Sequence, residues 1–390
     1  MAADLDSPDA QVDVAIAGGG IAGAWLLRLL SSRGYRVAVF EAQGWGADQT
    51  LASQGMIHGG LKYALGGALT GASEAIADMP ARWRACVTGS GEIDLRAVRL
   101  LSDRYYMFAE GSALGKLTTF FAAKALRGRI ERLAPTERPA AFDGFQGEVY
   151  ALNDFVLDTP SLLSELVADL ETHCWQQKLT RDTVSAVDNG WRINTADGVI
   201  HANCLISCAG NGSARLLTEL EIDGFAIQQR PLKQVSVRPS HDTALYAHCL
   251  TGIKSNEPRL TITSHTDDRG LIWYLGGKLA TEGVARGDAE QIAAAKAELQ
   301  DCVPWLPWQN SGYQVNAVDR AEPKHARGLK PDQAYAERRG QFIQCFPTKL
   351  TLAPDLGDRV MALLPPPSAE GAEITSSQPV PFGHPPWVTD

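Results

Sequence analysis

The chain has no run of about 20 apolar residues, so no segment reads as a transmembrane span; its apolar stretches are strand-sized. It has no basic excess. Lys and Arg number 36 against 45 Asp and Glu, a net charge of −9, which argues against a nucleic-acid partner because phosphate binding calls for a basic face. The first eleven residues hold Asp4, Asp6 and Asp9 and nothing basic, the wrong charge for a signal peptide, and a cytoplasmic location is expected by default. No CxxC pair occurs among the seven cysteines, and no His or acidic cluster at ligand spacing joins Cys204 and Cys208. The cysteines are expected to be reduced core residues, and no metal is expected. No repeat of about 20 to 50 residues is visible.

What is present is an ordinary globular composition, 45% hydrophobic and 21% charged, over 390 residues, a length that suggests two domains. The most informative unit is GGGIAG, residues 18–23, lying between the run 12–17, apolar but for Asp13, and a leucine-rich helix. Gly18 turns the chain out of the strand, Gly20 lets a pyrophosphate approach the backbone, and Gly23 lets the helix pack close to the strand. The N–H groups that open the helix, around Ile21 and Ala22, then face phosphate. Gly34 stops the helix, a second strand runs over 35–40, and Glu41 follows with Ala42; its carboxylate suits an adenosine ribose. No arginine follows Glu41 directly, so a 2′-phosphate is not expected. The order of these parts marks a dinucleotide-binding unit, for FAD or NAD.

Further along, residues 49–72 are rich in glycine and small side chains and read as an extended crossing loop leading into a helix near 73–86. A helix is predicted over 160–172, with Leu162, Leu163, Leu166 and Leu170 on one face. Strands are predicted over 184–187, 191–194 and 199–206, the first two joined by the hairpin signal Asp188, Asn189 and Gly190. Residues 226–318 read as alternating strands with one helix, 288–299. A short strand, the segment FPTKLTLAP and a helix follow within 341–364. Beyond Pro365 the tail reads as extended.

Five blocks in order resemble the FAD-dependent oxidoreductases of the D-amino acid oxidase superfamily, a group that also holds glycine oxidase, sarcosine oxidase and flavin-linked glycerol-3-phosphate dehydrogenases. They are VAIAGGGIAG with Glu41; ASQGMIHGG; TVSAVDNGWRINTADGVIHANCLISCAG; RPLKQVSV; and VDRAEP followed by FPTKLTLAP. The resemblance implies an α/β (α+β overall) fold: a Rossmann-like FAD-binding domain (10–92, 150–225 and 318–365), an antiparallel-sheet substrate domain (93–149 and 226–317) and an extended tail (366–390).

It also implies roles. Ala52, Ser53, Gln54, Gly55 and Met56 would run along pyrophosphate and flavin, with Gly59 and Gly60 allowing close approach to the ring. Val184 would offer its backbone to adenine, and Ala209 and Gly210 would pass beside the cofactor. Backbone N–H groups of Thr348, Lys349, Leu350 and Thr351 would stabilise negative charge on reduced flavin. Arg320 stands where the family often holds a substrate carboxylate. The usual Gly-x-Arg-Pro is replaced here by Val318, Asp319, Arg320 and Ala321, and an ion pair with Asp319 or Glu322 is the alternative. His265 is a candidate base, with Tyr246, Trp273 and Tyr274 near the same cavity. His58, with Lys62, resembles a glycerol-3-phosphate dehydrogenase segment.

The activity implied is hydride transfer from a CH–NH or CH–OH bond of a small anionic molecule to non-covalently bound FAD, which oxygen, a quinone or another acceptor then reoxidises. A nicotinamide-dependent dehydrogenase and a non-catalytic flavin-binding protein are the alternatives.

Overall fold

The structure, a computed structural model, describes residues 9–60, 76–110, 130–250, 257–324, 333–370 and 372–388. Lys62 and the second half of the glycine-rich crossing segment, 61–72, lie outside these residues.

Three sheets organise the chain. In the first, β1 (Asp9–Ala17) lies centrally between β12 (Val199–Ser207) and β2 (Val37–Glu41), parallel to both, and β9 (Cys174–Gln176) extends it beyond β2. The first part of β12 pairs antiparallel with β11 (Gly190–Asn194), which forms a hairpin with β10 (Val184–Val187). The last residues of β12 run parallel to β19 (Phe342–Phe346), itself flanked by β18 (Tyr335–Arg339). Alternation along β1 feeds both faces: Val14 and Ile16 enter one core, Ala15 and Ala17 the other. Helix α1 (Ile21–Ser32) is apolar almost all round because the sheet, the helix Thr159–Val167 and the helix Ala353–Met361 enclose it.

The second sheet runs β17 (Gly312–Pro323), β13 (Ile227–Arg238), β16 (Gly270–Gly276), β15 (Leu260–Asp267), β14 (Ala247–Cys249), β5 (Tyr105–Ala109), β7 (Glu148–Leu152), β6 (Ile130–Leu133). It is antiparallel except between β14 and β5. The helix Asp288–Cys302 covers one face through Ala295, Leu299 and Cys302. A small third sheet joins β3 (Met56–Ile57), β8 (Phe155–Leu157) and β4 (Leu100–Ser102). The mixed α/β architecture is the one expected.

Several boundaries differ from the sequence reading. The helix predicted over 160–172 stops at Val167, because the Arg28 guanidinium takes its last carbonyls: Nε donates to Leu166 O at 3.0 Å, and Nη2 to Glu165 O and Ala168 O. Ile93, Leu95 and Val98 pack into the core around α1, so the second sheet begins only at Tyr105. It also keeps residues 318–323, because β17 pairs with β13 along its whole length. The tail is extended but not loose. Trp45 N donates to Pro381 O, Gly383 N donates to Trp45 O, and Trp387 is buried. All seven cysteines are buried.

Candidate functional site

The parallel strands of the first sheet run β9, β2, β1, β12, β19. Chain direction around the sheet reverses between β1 and β12, and the carboxyl ends of strands at such a point are where an α/β sheet leaves a crevice. A cavity of about 280 Å³ lies there, lined by Ala17, Gly18, Gly20, Glu41, Cys208 and Gly210 among others. A second cavity of about 190 Å³ continues from it, sharing Ile21, Gln49, Thr50 and Pro347, and reaches Ser53, Met56, Leu232 and Arg320. The two make one elongated cleft between the first sheet and the β13–β17 pair.

Each glycine of the opening motif has its own reason. Gly18 has φ +108°, and a Cβ there would lie 2.6 Å from Cys208 O. A Cβ on Gly23 would lie 1.9 Å from Gly18 O, so helix and turn touch directly. Gly20 is different: its φ is −73°, and the one protein atom near an added Cβ is Thr50 Oγ1 at 3.1 Å. The protein leaves the space before Gly20 open to a ligand. Thr50, unnoticed in the sequence, also accepts from Ile21 N at 2.9 Å.

Glu41 turns toward the motif, its Oε2 accepting from Gly19 N at 2.5 Å and its Oε1 from Gln43 N at 2.7 Å. Lys178 and Arg215 line the same cavity, cations that the sequence pattern gave no reason to place there. Asn211 closes the cleft's side, donating to Asp48 Oδ2 at 2.8 Å and Asp319 O at 2.7 Å. Burial raises the Asp48 pKa, the Asn211 bond opposes that, and the charges of Asp319 and Glu41 add to the rise.

Most of the residues singled out from the sequence meet in this cleft. Gly18, Gly20, Ile21, Ala22, Glu41, Ala42, Ala209 and Gly210 line the first cavity; Ala52, Ser53, Gln54, Gly55, Met56, His58, Arg320, Thr348, Lys349 and Leu350 line the second. Besides Gly60 and the three aromatic residues, five do not line either. Gly23 packs against Gly18, and Gly59 N donates to Asp154 Oδ1 at 2.9 Å. Val184 N is spent on Thr180 O at 2.9 Å, and residues 177–179 line the cavity instead. Thr351 is fully buried; its hydroxyl accepts from His58 N at 3.2 Å and donates to His58 O at 3.1 Å, tying the glycine loop to the turn before the last helix.

His265 is the fifth, and its placement corrects the expectation of a base in the cavity. Trp387 from the tail covers its ring at 4.4 Å, and burial pushes its pKa down to about 4 against the opposing charge of Asp158. Trp273 faces Thr243 and His241, and Tyr246 joins a separate cluster, so neither shares the cleft. Tyr274 reaches it indirectly, its hydroxyl donating to Gln234 Oε1 at 3.0 Å. Gln54 donates to Tyr274 O at 2.9 Å, fastening the 52–56 loop to the second sheet. Glu322, offered as a partner for Arg320, accepts from Arg230 Nε at 2.6 Å and Gln228 Nε2 at 2.8 Å.

The family described as "FAD dependent oxidoreductase" (DAO) matches residues 13–324. The chain belongs to that family. A "probable FAD-dependent oxidoreductase" of Pseudomonas aeruginosa is 44% identical over 362 residues, 90% of each chain. The crystal structure of that Pseudomonas aeruginosa oxidoreductase superposes with a TM-score of 0.80 over 97% of this chain and 98% of its own, at 36% identity. Glycine oxidase from Geobacillus kaustophilus gives 0.66 at 16% identity, over 91% and 95% of the two chains. Dithionite-reduced L-α-glycerophosphate oxidase from Mycoplasma pneumoniae, with FAD bound, gives 0.64 at 15% identity over 97% and 100%. At such identities the last two show the fold. FAD is thus the dinucleotide of this oxidoreductase, and the elongated cleft with open space at Gly20 fits it. Among the described residues no helix is long and apolar enough to cross a membrane.

Proposed function

We propose that this FAD-dependent oxidoreductase oxidises a CH–NH or CH–OH bond of a small anionic substrate. In this reading Gly18–Ala22 with Ala209 and Gly210 hold the pyrophosphate, Glu41 the ribose, and residues 52–56 and 348–350 the ring end. The second sheet roofs the substrate. Bound FAD supplies the acceptor for a hydride and needs no strong protein base beside it, so the burial of His265 away from the cleft is no obstacle.

The observation that carries the reading is Arg320: it lines the second cavity together with the 52–56 loop and Thr348–Leu350. A guanidinium there can take a carboxylate or phosphate through two parallel hydrogen bonds and so orient the neighbouring C–H bond. The names of the structural neighbours, a glycine oxidase and a glycerophosphate oxidase, span the two bond types proposed. Mixing the holoprotein anaerobically with amino acids, secondary amines, 2-hydroxy acids and glycerol phosphate tests it. Bleaching of the flavin by at least one class is expected. If every class leaves the flavin oxidised while dithionite reduces it, the chain is a non-catalytic flavoprotein.

A further inference from the structure

Strands β13 and β17 set Arg230 opposite Arg320, Leu232 opposite Val318 and Gln234 opposite Asn316. Alternate residues of a strand share a face, and Leu232, Gln234, Val318 and Arg320 all line the second cavity. Its roof is therefore graded: cationic at Arg320, apolar across Val318 and Leu232, and a neutral amide at Gln234. The amide lies four residues along β13 from the position opposite Arg320, about 13 Å at the rise of a strand.

The orientation of that amide is fixed from behind. The Tyr274 hydroxyl has two acceptors, Gln234 Oε1 at 3.0 Å and Ala52 O at 3.3 Å, and its proton goes to the nearer, Gln234 Oε1; Tyr274 is fully buried with its ring 4.8 Å from that of Trp387. With Oε1 engaged, the Gln234 side-chain nitrogen has no protein acceptor among the described residues, although only 5% of Gln234 is exposed. Gln234 lines the cavity, so these two N–H donors are open to an acceptor carried by a ligand there.

We infer that Gln234 determines specificity: it recognises a neutral hydrogen-bond acceptor, a carbonyl or carboxamide oxygen, at the far end of a substrate whose anionic group lies at Arg320. The inference rests on the reading of Arg320 given above. A short apolar link in such a substrate passes Leu232 and Val318. A purely aliphatic acid leaves the Gln234 donors unpaired, and one ending in an ammonium sets donor against donor, so both are discriminated against.

Unreactive acids titrated into the holoprotein, followed by the flavin absorption band, test this. The probes are straight-chain alkanoates of five to seven carbons, each paired with the keto acid whose carbonyl adjoins the terminal methyl, together with 6-aminohexanoate. In the wild type at least one keto acid binds about three- to ten-fold more tightly than its paired alkanoate. Gln234→Leu brings the pair to equal affinity. Tyr274→Phe, which frees the amide to turn, lowers the preference, and Gln234→Glu inverts it and strengthens 6-aminohexanoate, a gain that misfolding cannot produce. Equal binding of every pair in the wild type, or a preference that survives Gln234→Leu, overturns the assignment. Failure at Arg320 looks different: no acid of either kind perturbs the flavin, or Arg320→Met binds both as the wild type does, and the assignment to Gln234 falls with it.

Discussion

Gly18 and Gly20 stand two residues apart in one turn, yet substitution separates them. At Gly18 the backbone needs φ +108° and a Cβ would lie 2.6 Å from Cys208 O, so Gly18→Ala destabilises the fold by about 2–3 kcal/mol. At Gly20 the φ is ordinary, so Gly20→Ala keeps the apoprotein's melting temperature near wild type and weakens FAD binding at least about ten-fold through lost close approach. Thermal melts of apoprotein and flavin titrations distinguish the two. His265 makes a second prediction at this scale. Its folded pKa, about 4, lies below its ordinary 6.5, so the unfolded chain binds a proton that the folded chain refuses between those values. Its stabilising contribution is full above pH 6.5 and falls by on the order of 3 kcal/mol as the pH drops to about 4. Urea unfolding across that window should show the loss in the wild type and a shallower one in His265→Gln.

Between elements, a few side chains do the joining. The Thr351 hydroxyl bonds both backbone groups of His58, and Trp83 Nε1 donates to Thr351 O at 2.9 Å, so loop, turn and helix Met79–Val87 meet at one residue. Thr351→Val leaves the His58 N–H and C=O without those partners and should lower stability by about 1–3 kcal/mol, read as a drop in melting temperature. The same scale shows what the sequence could and could not tell. The unit from β1 to Glu41 was legible because strand, turn, helix and acid follow one another within a single βαβ unit, where local chain geometry dictates the site. Leu232 and Gln234 were not, because only the register between β13 and β17 brings them beside Arg320, and β13 alone carries no mark of it. Val184 misled for a related reason: its strand was placed correctly, but its N–H is taken by Thr180 O, and the cavity end falls to residues 177–179. Arg28 as the stop of the helix Thr159–Val167 is a contact across 138 residues, invisible to any local pattern.

At the scale of the molecule, the cleft draws on stretches scattered from Ala17 to Leu350, so FAD binding should couple to folding of the whole chain. Saturating FAD raises the melting temperature of the apoprotein, and acid denaturation of the holoprotein releases free FAD, as expected of non-covalent binding. The tail takes part in this unity: Pro381 and Gly383 bond Trp45 in the loop after Glu41, while Trp387 seals the second sheet behind Tyr274. The central claim is that the cleft holds the anionic group of an oxidisable substrate at Arg320. The most direct measurement is anaerobic flavin reduction by the most rapidly reacting acid of the substrate panel, compared in wild type and Arg320→Met at rising concentration. A half-saturating concentration raised at least about ten-fold in Arg320→Met, with its flavin spectrum intact, is the predicted result. Reduction with the same rate and the same concentration dependence in both proteins would contradict it.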